Sequence, residues 1–356
     1  MPNARSDKKK LSPIIVDSTL RDGSHAVSHQ FTAEDISNYS KGAEDAKIPI
    51  LMVGHGNGLG ASSLQLGISL LSDNEMLRVA RKQLKNTKLG AFLIPGFGTI
   101  KENVEPAISV GVDVMMVACH CTEATVTRQH IEYICGRGIT VYGVLMMSHM
   151  ISAKELLAQA LLMQEYGASG VLLMDSAGAY LPGDVSEKVK TLASGLKIDV
   201  GFHAHNNLSL AVWNTVTALL AGAKILDTCS RGLGAGAGNC QLEVLVAVLF
   251  KMGYPIDLDL YKLMDNSEDI IAKIMKKPQI ISSISLTSGL AGVFSGFAPH
   301  AKRVAERFGV DPRDILIELG KRKVVAGQED IIIEVAMLLK QKRVLKKQID
   351  LIEALI

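Results

Sequence analysis

Eight short segments rich in β-branched residues recur along the first two thirds of the chain, and stretches with helical spacing of apolar residues separate them. The segments are continuously apolar, which is typical of strands buried on both faces of a parallel sheet. Eight strand–helix units predict an α/β fold closed into a (β/α)8 TIM barrel, with an open doubly wound sheet as the alternative. The predicted strands are Ile14–Ser18, Ile50–Gly54, Gly90–Ile94, Val112–Ala118, Thr140–Met146, Gly170–Met174, Asp199–His203 and Ala223–Cys229.

The pattern changes after about residue 260, where helical spacing continues without further strand-like segments. We predict that residues 1–11 form a disordered basic tail, 12–262 the catalytic barrel and 263–356 a helical C-terminal domain. The last helix keeps apolar side chains to the end of the sequence, so we expect them to be buried against the barrel or another chain. The predicted C-terminal helices are Leu263–Met275, His300–Phe308, Pro312–Leu319 and Asp330–Ile356.

Composition excludes several classes of protein. The net charge of +2 argues against nucleic acid as the main partner. No stretch approaches the roughly 20 apolar residues of a membrane span, and the first thirty residues lack the apolar core of a signal peptide. The five cysteines have no C-x-x-C spacing and are expected to be reduced thiols. These features predict a cytoplasmic protein without a membrane association.

Polar residues follow several predicted strands, at the end of the barrel where catalytic groups lie in this fold. His203 and His205 are two residues apart, so both side chains point to one face of their strand. Asp22 follows the first strand, which lies near the seventh in a closed barrel. One carboxylate and two imidazoles favour a divalent ion, with Mn²⁺ as the expected metal and Mg²⁺, Co²⁺ or Zn²⁺ as alternatives.

Arg21 and His25 flank Asp22 in the same loop. A buried guanidinium next to a metal needs an anion, so Arg21 is a candidate for stabilising an oxyanion on the substrate. His25 is a candidate general base because the imidazole pKa is near neutral. The alternative for both is a salt-bridging role at the surface. His29 is expected to be structural.

A glycine-rich segment follows the eighth strand and precedes the predicted helix Leu242–Phe250. Its spacing does not match G-x-G-x-x-G, and the Lys-Ser/Thr pair of a P-loop is missing. We therefore interpret it as a loop that approaches the active site closely. The glycines are Gly232, Gly234, Gly236 and Gly238.

These motifs together resemble the 4-hydroxy-2-oxovalerate aldolase family, which belongs to a wider metallolyase group that includes hydroxymethylglutaryl-CoA lyase and isopropylmalate synthase. The resemblance covers nearly the whole chain from about residue 12. R-D-G and H-x-H are shared by the wider group, whereas G-S-H-A-V, H-G-N-G-L-G and the helical C-terminal domain are more specific to the aldolases. The other motifs are H-C-T-E-A, M-D-S-A-G-A, H-A-H-N-N-L-S-L and G-A-G-A-G-N.

The resemblance implies retro-aldol cleavage of 4-hydroxy-2-oxo acids, such as 4-hydroxy-2-oxopentanoate, to pyruvate and an aldehyde through a metal-stabilised enolate. It implies that Asp22, His203 and His205 bind the metal, and that Asp22 and His203 also lie against the substrate. Arg21 would contact the substrate and stabilise the enolate, and His25 would remove the C4-hydroxyl proton. The resemblance also places Ser176 at the substrate carboxylate.

Three positions depart from the family. Phe294, a predicted substrate contact, stands where the family has a tyrosine. Met52 replaces a glutamate after the second strand, and Asn57 replaces the aspartate of H-G-D-G. These changes bear on substrate preference and stereochemistry more than on the metal chemistry.

The family also implies a complex with an acylating acetaldehyde dehydrogenase, and a homodimer is the other association we expect. Two rival functions stay open at this point. One is a Claisen-type synthase or acyl-CoA lyase of the same metal group, for which the sequence has no coenzyme A signature. The other is a scaffold barrel for a partner dehydrogenase, which would have no need for Asp22, His203 and His205 together.

Overall fold

Eight parallel strands close into a barrel in sequence order, with β1 hydrogen-bonded to both β2 and β8. The computed structural model describes residues 12–325 and 327–353, apart from the side chains of Lys347, Leu351 and Ile352. The predicted barrel is thus confirmed, and the open sheet is excluded. The strands are β1 Ile14–Leu20, β2 Ile50–Val53, β3 Lys88–Leu93, β4 Val114–His120, β5 Thr140–Met146, β6 Gly170–Asp175, β7 Asp199–Ala204 and β8 Ile225–Thr228.

Burial on both faces explains the continuous apolar pattern of the strands. In β1, Val16 belongs to the cluster that fills the barrel, whereas Ile15 belongs to the layer between strands and helices. Leu51 and Met52 alternate between the same two layers in β2. The expectation that Met52 follows the second strand is therefore wrong. Met52 lies within β2 and packs inside the barrel.

Helices follow the strands and cover the outside of the barrel. Thr32, Ser72 and Ser152 each begin a helix with a capping box. The cap side chain accepts from the N–H of the third helical residue, and the cap N–H donates to the carboxylate of that same residue. These local signals fix where the covering helices start. The barrel helices are α1 Ala33–Asp45, α2 Asp73–Gln83, α3 Glu105–Val110, α4 Arg128–Gly136, α5 Ala153–Glu165, α6 Pro182–Gly195, α7 Ala211–Leu220 and α8 Leu242–Lys251.

The remaining helices are α9 Leu260–Asn266, α10 Ala272–Ile274, α11 Ser283–Ala291, α12 Phe297–Phe308, α13 Pro312–Lys321 and α14 Ile331–Glu353. The last four share a separate apolar cluster that includes Phe297, Leu316 and Val335. By contrast, Leu263 and Ile271 pack in the cluster of the barrel. The helical C-terminal region is confirmed, whereas the domain boundary at residue 262 stays a prediction.

Two expectations concern residues outside this description. They are the disordered tail at residues 1–11 and the burial of the last apolar side chains, Leu351, Ile352, Leu355 and Ile356. Among the residues described, none of the helices combines the length and the apolar character needed to cross a bilayer.

Candidate metal centre

The structure brings Asp22, His203 and His205 together at the carboxyl ends of the strands. Asp22 begins the short 3₁₀ helix after β1, His203 lies in β7, and His205 follows the end of that strand. One ligand atom from each residue lies within 4.8 Å of the others, and all three residues are buried. Within the described chain, no other group of three His, Cys, Asp or Glu residues has this arrangement.

Both histidines are oriented by acceptors on the side away from this meeting point. His203 Nδ1 lies 2.9 Å from Asp227 Oδ2, and His205 Nδ1 lies 2.9 Å from the carbonyl oxygen of Asp175. Each Nδ1 must therefore carry the proton, which leaves Nε2 with a free lone pair. His203 Nε2 is buried and has no hydrogen-bond partner among the described residues. A buried imidazole nitrogen without a partner fits a metal ligand.

The electrostatics of the centre also fit a cation. Burial by itself would raise the pKa of Asp22, but the charge of Arg21 holds it well below its usual range. Burial is the main reason that the pKa of His205 is lowered to about 4. The residues thus present an ionised carboxylate and a neutral imidazole, the protonation states that metal binding requires.

Arg21 is buried between two carboxyl groups. Its Nη1 donates to Asp22 Oδ2 at 2.6 Å, and its Nη2 lies 3.6 Å from Asp227 Oδ2. The guanidinium carbon lies 4.5 Å from the centroid of the Phe92 ring, which fixes its plane. Two carboxyl groups thus face one guanidinium, and a divalent ion would balance the surplus of negative charge.

Asn239 was missed by sequence reasoning. Its Nδ2 donates to Asp22 Oδ1 at 2.8 Å and so holds the carboxylate from the side opposite Arg21. Gly234 must be glycine because a Cβ there would lie 2.6 Å from Asp22 Oδ1 and closer still to the Asn239 amide. The close approach supports the interpretation of the glycine-rich segment as a loop against the site. The asparagine that ends the G-A-G-A-G-N string was the available signal.

Ser176 follows β6 and is buried. The Met147 N–H donates to Ser176 Oγ at 2.9 Å. The serine therefore uses an oxygen lone pair for the protein and keeps its O–H free to donate. This arrangement suits a contact with an anionic group.

His25 lies in a cluster of three histidines beside the metal centre. Its ring centroid is 5.1 Å from that of His29, and the His29 and His55 rings stack at 3.8 Å. Burial lowers the pKa of His25 below its ordinary value and lowers those of His29 and His55 to about 3 and about 4. The cluster is therefore uncharged near neutral pH, so that His25 is in the form that accepts a proton.

Phe294 lies with His25 and Asn57 on the wall of a cavity of about 350 Å³. Ser295 is held by Asn207 Nδ2, which donates to its Oγ at 2.9 Å and also to the carbonyl oxygen of Ala177. Asn207, which belongs to H-A-H-N-N but was not among the predicted site residues, thus holds the Phe294 segment at the end of β7. Met52, inside the barrel, takes no part in this wall.

Comparison with known proteins agrees with this geometry. Residues 12–270 match the HMGL-like family model, and residues 279–341 match the DmpG-like communication domain. The 4-hydroxy-2-oxovalerate aldolase of Spirochaeta aurantia is 50% identical, over 95% of this chain and 99% of that protein. 4-Hydroxy-2-oxovalerate aldolase 2 of Salinispora arenicola is 53% identical, over 91% and 93%.

Among solved structures, the carboxyl transferase domain of Rhizobium etli pyruvate carboxylase, determined with pyruvate and biocytin, superposes with a TM-score of 0.77. The match covers 94% of this chain and 61% of that chain, and at 17% identity it establishes the fold alone. The sequence relatives also establish the family. The chain belongs to the 4-hydroxy-2-oxovalerate aldolase family, with an HMGL-like barrel and a DmpG-like communication domain.

Proposed function

We propose that this protein is a divalent-metal-dependent aldolase, a carbon–carbon lyase that cleaves 4-hydroxy-2-oxo acids such as 4-hydroxy-2-oxopentanoate to pyruvate and acetaldehyde. The observation that carries the proposal is the buried group of Asp22, His203 and His205, in which His203 Nε2 has no hydrogen-bond partner among the residues that the structure describes. The 50% identity to aldolases along nearly the whole chain supports the reaction. In the reaction, the C3–C4 bond breaks, the C4 hydroxyl loses its proton, the aldehyde carbonyl forms, and C3 gains a proton.

Asp22, His203 and His205 would hold the metal, and we propose Mn²⁺ as the ion. When bound, the ion supplies a Lewis acid that favours negative charge on the carboxylate and C2 oxygen of the 2-oxo acid. The mixed oxygen and nitrogen donor set supports Mn²⁺ over a thiophilic metal.

Arg21 would stabilise the charge that develops on the C2 oxygen as C3–C4 breaks. Its Nη1 and Nη2 atoms face the carboxylates, whereas Nε is buried without a hydrogen-bond partner among the described residues. Because the guanidinium is held in place and one N–H has no partner in the described chain, Arg21 does not have to move to donate to the developing charge. The contact thus acts on the transition state more than on the ground state.

His25 would take the proton from the C4 hydroxyl. Contact with the Gly56 backbone favours a hydrogen on one of its ring nitrogens, which leaves the other nitrogen to accept. Its lowered pKa keeps that nitrogen unprotonated near neutral pH. Both properties are those of a general base.

Ser176 would donate its hydroxyl hydrogen to the substrate carboxylate, because Met147 already occupies its acceptor side. Phe294 would pack near C4, since it shares the cavity wall with His25. A phenyl ring can pack against the substrate at that position but cannot hydrogen-bond to it.

The proposal is tested by measuring pyruvate release from 4-hydroxy-2-oxopentanoate with chelator-treated protein, before and after Mn²⁺ is restored. We expect negligible release without metal and recovery with Mn²⁺. Metal-independent release at an unchanged rate would contradict the mechanism. No release under either condition would contradict the activity itself.

For partners, we propose a homodimer and an association with an acylating acetaldehyde dehydrogenase that consumes the aldehyde product. The match of residues 279–341 to the DmpG-like communication domain supports the second association. Light scattering after size exclusion, with the protein alone and with the dehydrogenase of its host, tests both. A fully active homo-oligomer whose mass does not change when the dehydrogenase is added would exclude the complex.

A further inference from the structure

The cavity beside the metal centre reaches from the barrel to the C-terminal helices. At its inner side, Ala235 lines the wall, and its N–H lies 3.3 Å from Asp22 Oδ1. At its outer side it is lined by His300 of α12 and by Glu329, which precedes α14. His25, the proposed base at C4, is also part of the wall. The cavity therefore lies on the side of the substrate that becomes the aldehyde.

The volume of about 350 Å³ is more than a two-carbon aldehyde needs. It corresponds to on the order of ten water molecules at ~30 Å³ each. Pockets of this size hold ligands considerably larger than acetaldehyde. Volume alone therefore does not determine which aldehyde binds, and the polar and charged groups of the wall do.

Several side chains of the wall have hydrogen-bond donors or acceptors without a partner among the described residues. The side-chain amide of Asn57 makes no hydrogen bond in the described part of the chain. Gln279 donates from Nε2 to the Gly234 carbonyl at 3.3 Å, which leaves its Oε1 to accept. His300 Nδ1 accepts from Arg303 Nη2 at 2.9 Å, so its Nε2 carries a hydrogen that is free to donate.

The charge of the wall selects against anions. Over residues 12–325 and 327–353, the cavity is lined by no lysine or arginine, and Glu329 contributes a carboxylate. Burial and the neighbouring Arg303 lower the pKa of His300, which keeps this imidazole neutral near pH 7. A distal carboxylate or phosphate would therefore meet the carboxylate of Glu329, with no lysine or arginine of the described residues in the wall itself to pair with it.

We propose that this cavity is a subsite for a neutral, hydroxylated aldehyde portion, so that the preferred substrates are 4-hydroxy-2-oxo acids with a further hydroxyl group beyond C4. Asn57, Gln279 and His300 supply both donors and acceptors, as hydroxyl groups require. The proposal rests on the proposed aldolase function and names the substrate class of the same site. Asn57 matters most, because it lines the cavity and its side-chain amide makes no hydrogen bond among the described residues.

The test compares the condensation of pyruvate with acetaldehyde, propanal, glycolaldehyde and glyoxylate by the Mn²⁺-loaded protein. Propanal and glycolaldehyde have the same number of non-hydrogen atoms and differ in one hydroxyl group. We expect kcat/KM for glycolaldehyde to exceed that for propanal about tenfold, the effect of one or two net hydrogen bonds. Glyoxylate, with its carboxylate, should be the poorest of the four.

Equal or better use of propanal, with acetaldehyde also accepted, would overturn the subsite while leaving the aldolase function standing. Failure of all four aldehydes would instead contradict the aldolase function, and the subsite with it. These two failures are therefore distinguishable in one experiment.

Substitution of wall residues tests which side chains cause the preference for glycolaldehyde over propanal. Asn57→Leu keeps the number and branching of the side-chain non-hydrogen atoms but removes the amide, and it should reduce the glycolaldehyde-to-propanal ratio to about one-third or less. Gln279→Leu should act in the same direction, and it provides an independent test if Asn57→Leu does not fold. Asn38→Leu, at an exposed amide on α1, is the matched control. A ratio unchanged in both cavity variants would overturn the assignment.

Discussion

At the scale of single residues, Arg21 is the side chain whose removal should separate chemistry from metal binding. Its guanidinium donates to Asp22 and has no lone pair with which to bind a cation. Arg21→Ala should lower kcat by on the order of 10²–10³-fold, as does loss of one oxyanion donor. Bound Mn²⁺, measured by elemental analysis, should change little.

Arg78→Ala, at an exposed position of α2, is the matched control for loss of a surface guanidinium. An Arg21→Ala protein that kept its kcat but lost its metal would show that Arg21 supports the metal site and not the reaction.

His25 makes the pH dependence of cleavage predictable. Its neutral form accepts the proton, so activity is lost as the pH falls through its pKa. Because burial lowers that pKa below the ordinary 6.5, kcat/KM should hold to more acidic pH than an exposed imidazole would allow. His25→Ala should lower the cleavage rate by about 10²–10⁴-fold.

Exchange of the C3 protons of pyruvate separates the role of His25 from general damage to the site. This exchange needs no proton transfer at C4 and should be less affected by His25→Ala than cleavage is. Wild-type cleavage by His25→Ala between about pH 6 and pH 8 would remove the assignment of His25 as the base.

Phe294 should weaken stereochemical control at C4. A phenol can hydrogen-bond to a substrate group, whereas a phenyl ring can only pack against it. The Phe294→Tyr variant should therefore discriminate more strongly between the two C4 enantiomers of 4-hydroxy-2-oxopentanoate. Chiral analysis of the condensation product measures this, and equal selectivity in both proteins would show that the position has no influence.

At the scale of elements, Glu44 ties the end of α1 to the segment before β3. Burial by itself would raise the pKa of Glu44, but the N–H groups of Thr87, Lys85 and Asn86 lower it to about 2. A lowered carboxyl pKa stabilises the fold above the unfolded value of about 4.5. That contribution declines as the pH falls towards 2.

The free energy of unfolding should therefore differ more between wild type and Glu44→Gln at about pH 6 than at about pH 3. Denaturant unfolding at the two pH values measures the difference. Glu165→Gln, at an exposed carboxyl at the end of α5, is the matched control for loss of a surface carboxylate. An equal difference at both pH values would contradict the linkage.

The strands and helices differ in how well the sequence predicts them. The strands were predicted to within a few residues because burial on both faces leaves a continuous apolar signal. The helix Ser283–Ala291 was not predicted, since its serine, glycine and β-branched residues are weak helix formers. A capping box between Ser282 and Ser285 and packing of Ile284 in the C-terminal cluster stabilise it instead.

At the scale of the whole molecule, the candidate site combines predictable and unpredictable parts. Asp22, His203 and His205 stood out because charged and imidazole side chains at the ends of apolar strands are a signal that the sequence itself displays. Asn239 and Asn207 did not, because their partners are 217 and 88 residues away along the chain. Only the closed barrel and the docked C-terminal helices bring such pairs together.

The central claim is that Asp22, His203 and His205 hold one divalent ion at the mouth of the barrel. Anomalous diffraction from crystals grown with Mn²⁺ tests it most directly. We expect a single strong peak at ~2.0–2.3 Å from one oxygen of Asp22 and from Nε2 of each histidine. A peak elsewhere in the molecule, with none among these three residues in fully Mn²⁺-loaded protein, would contradict the claim.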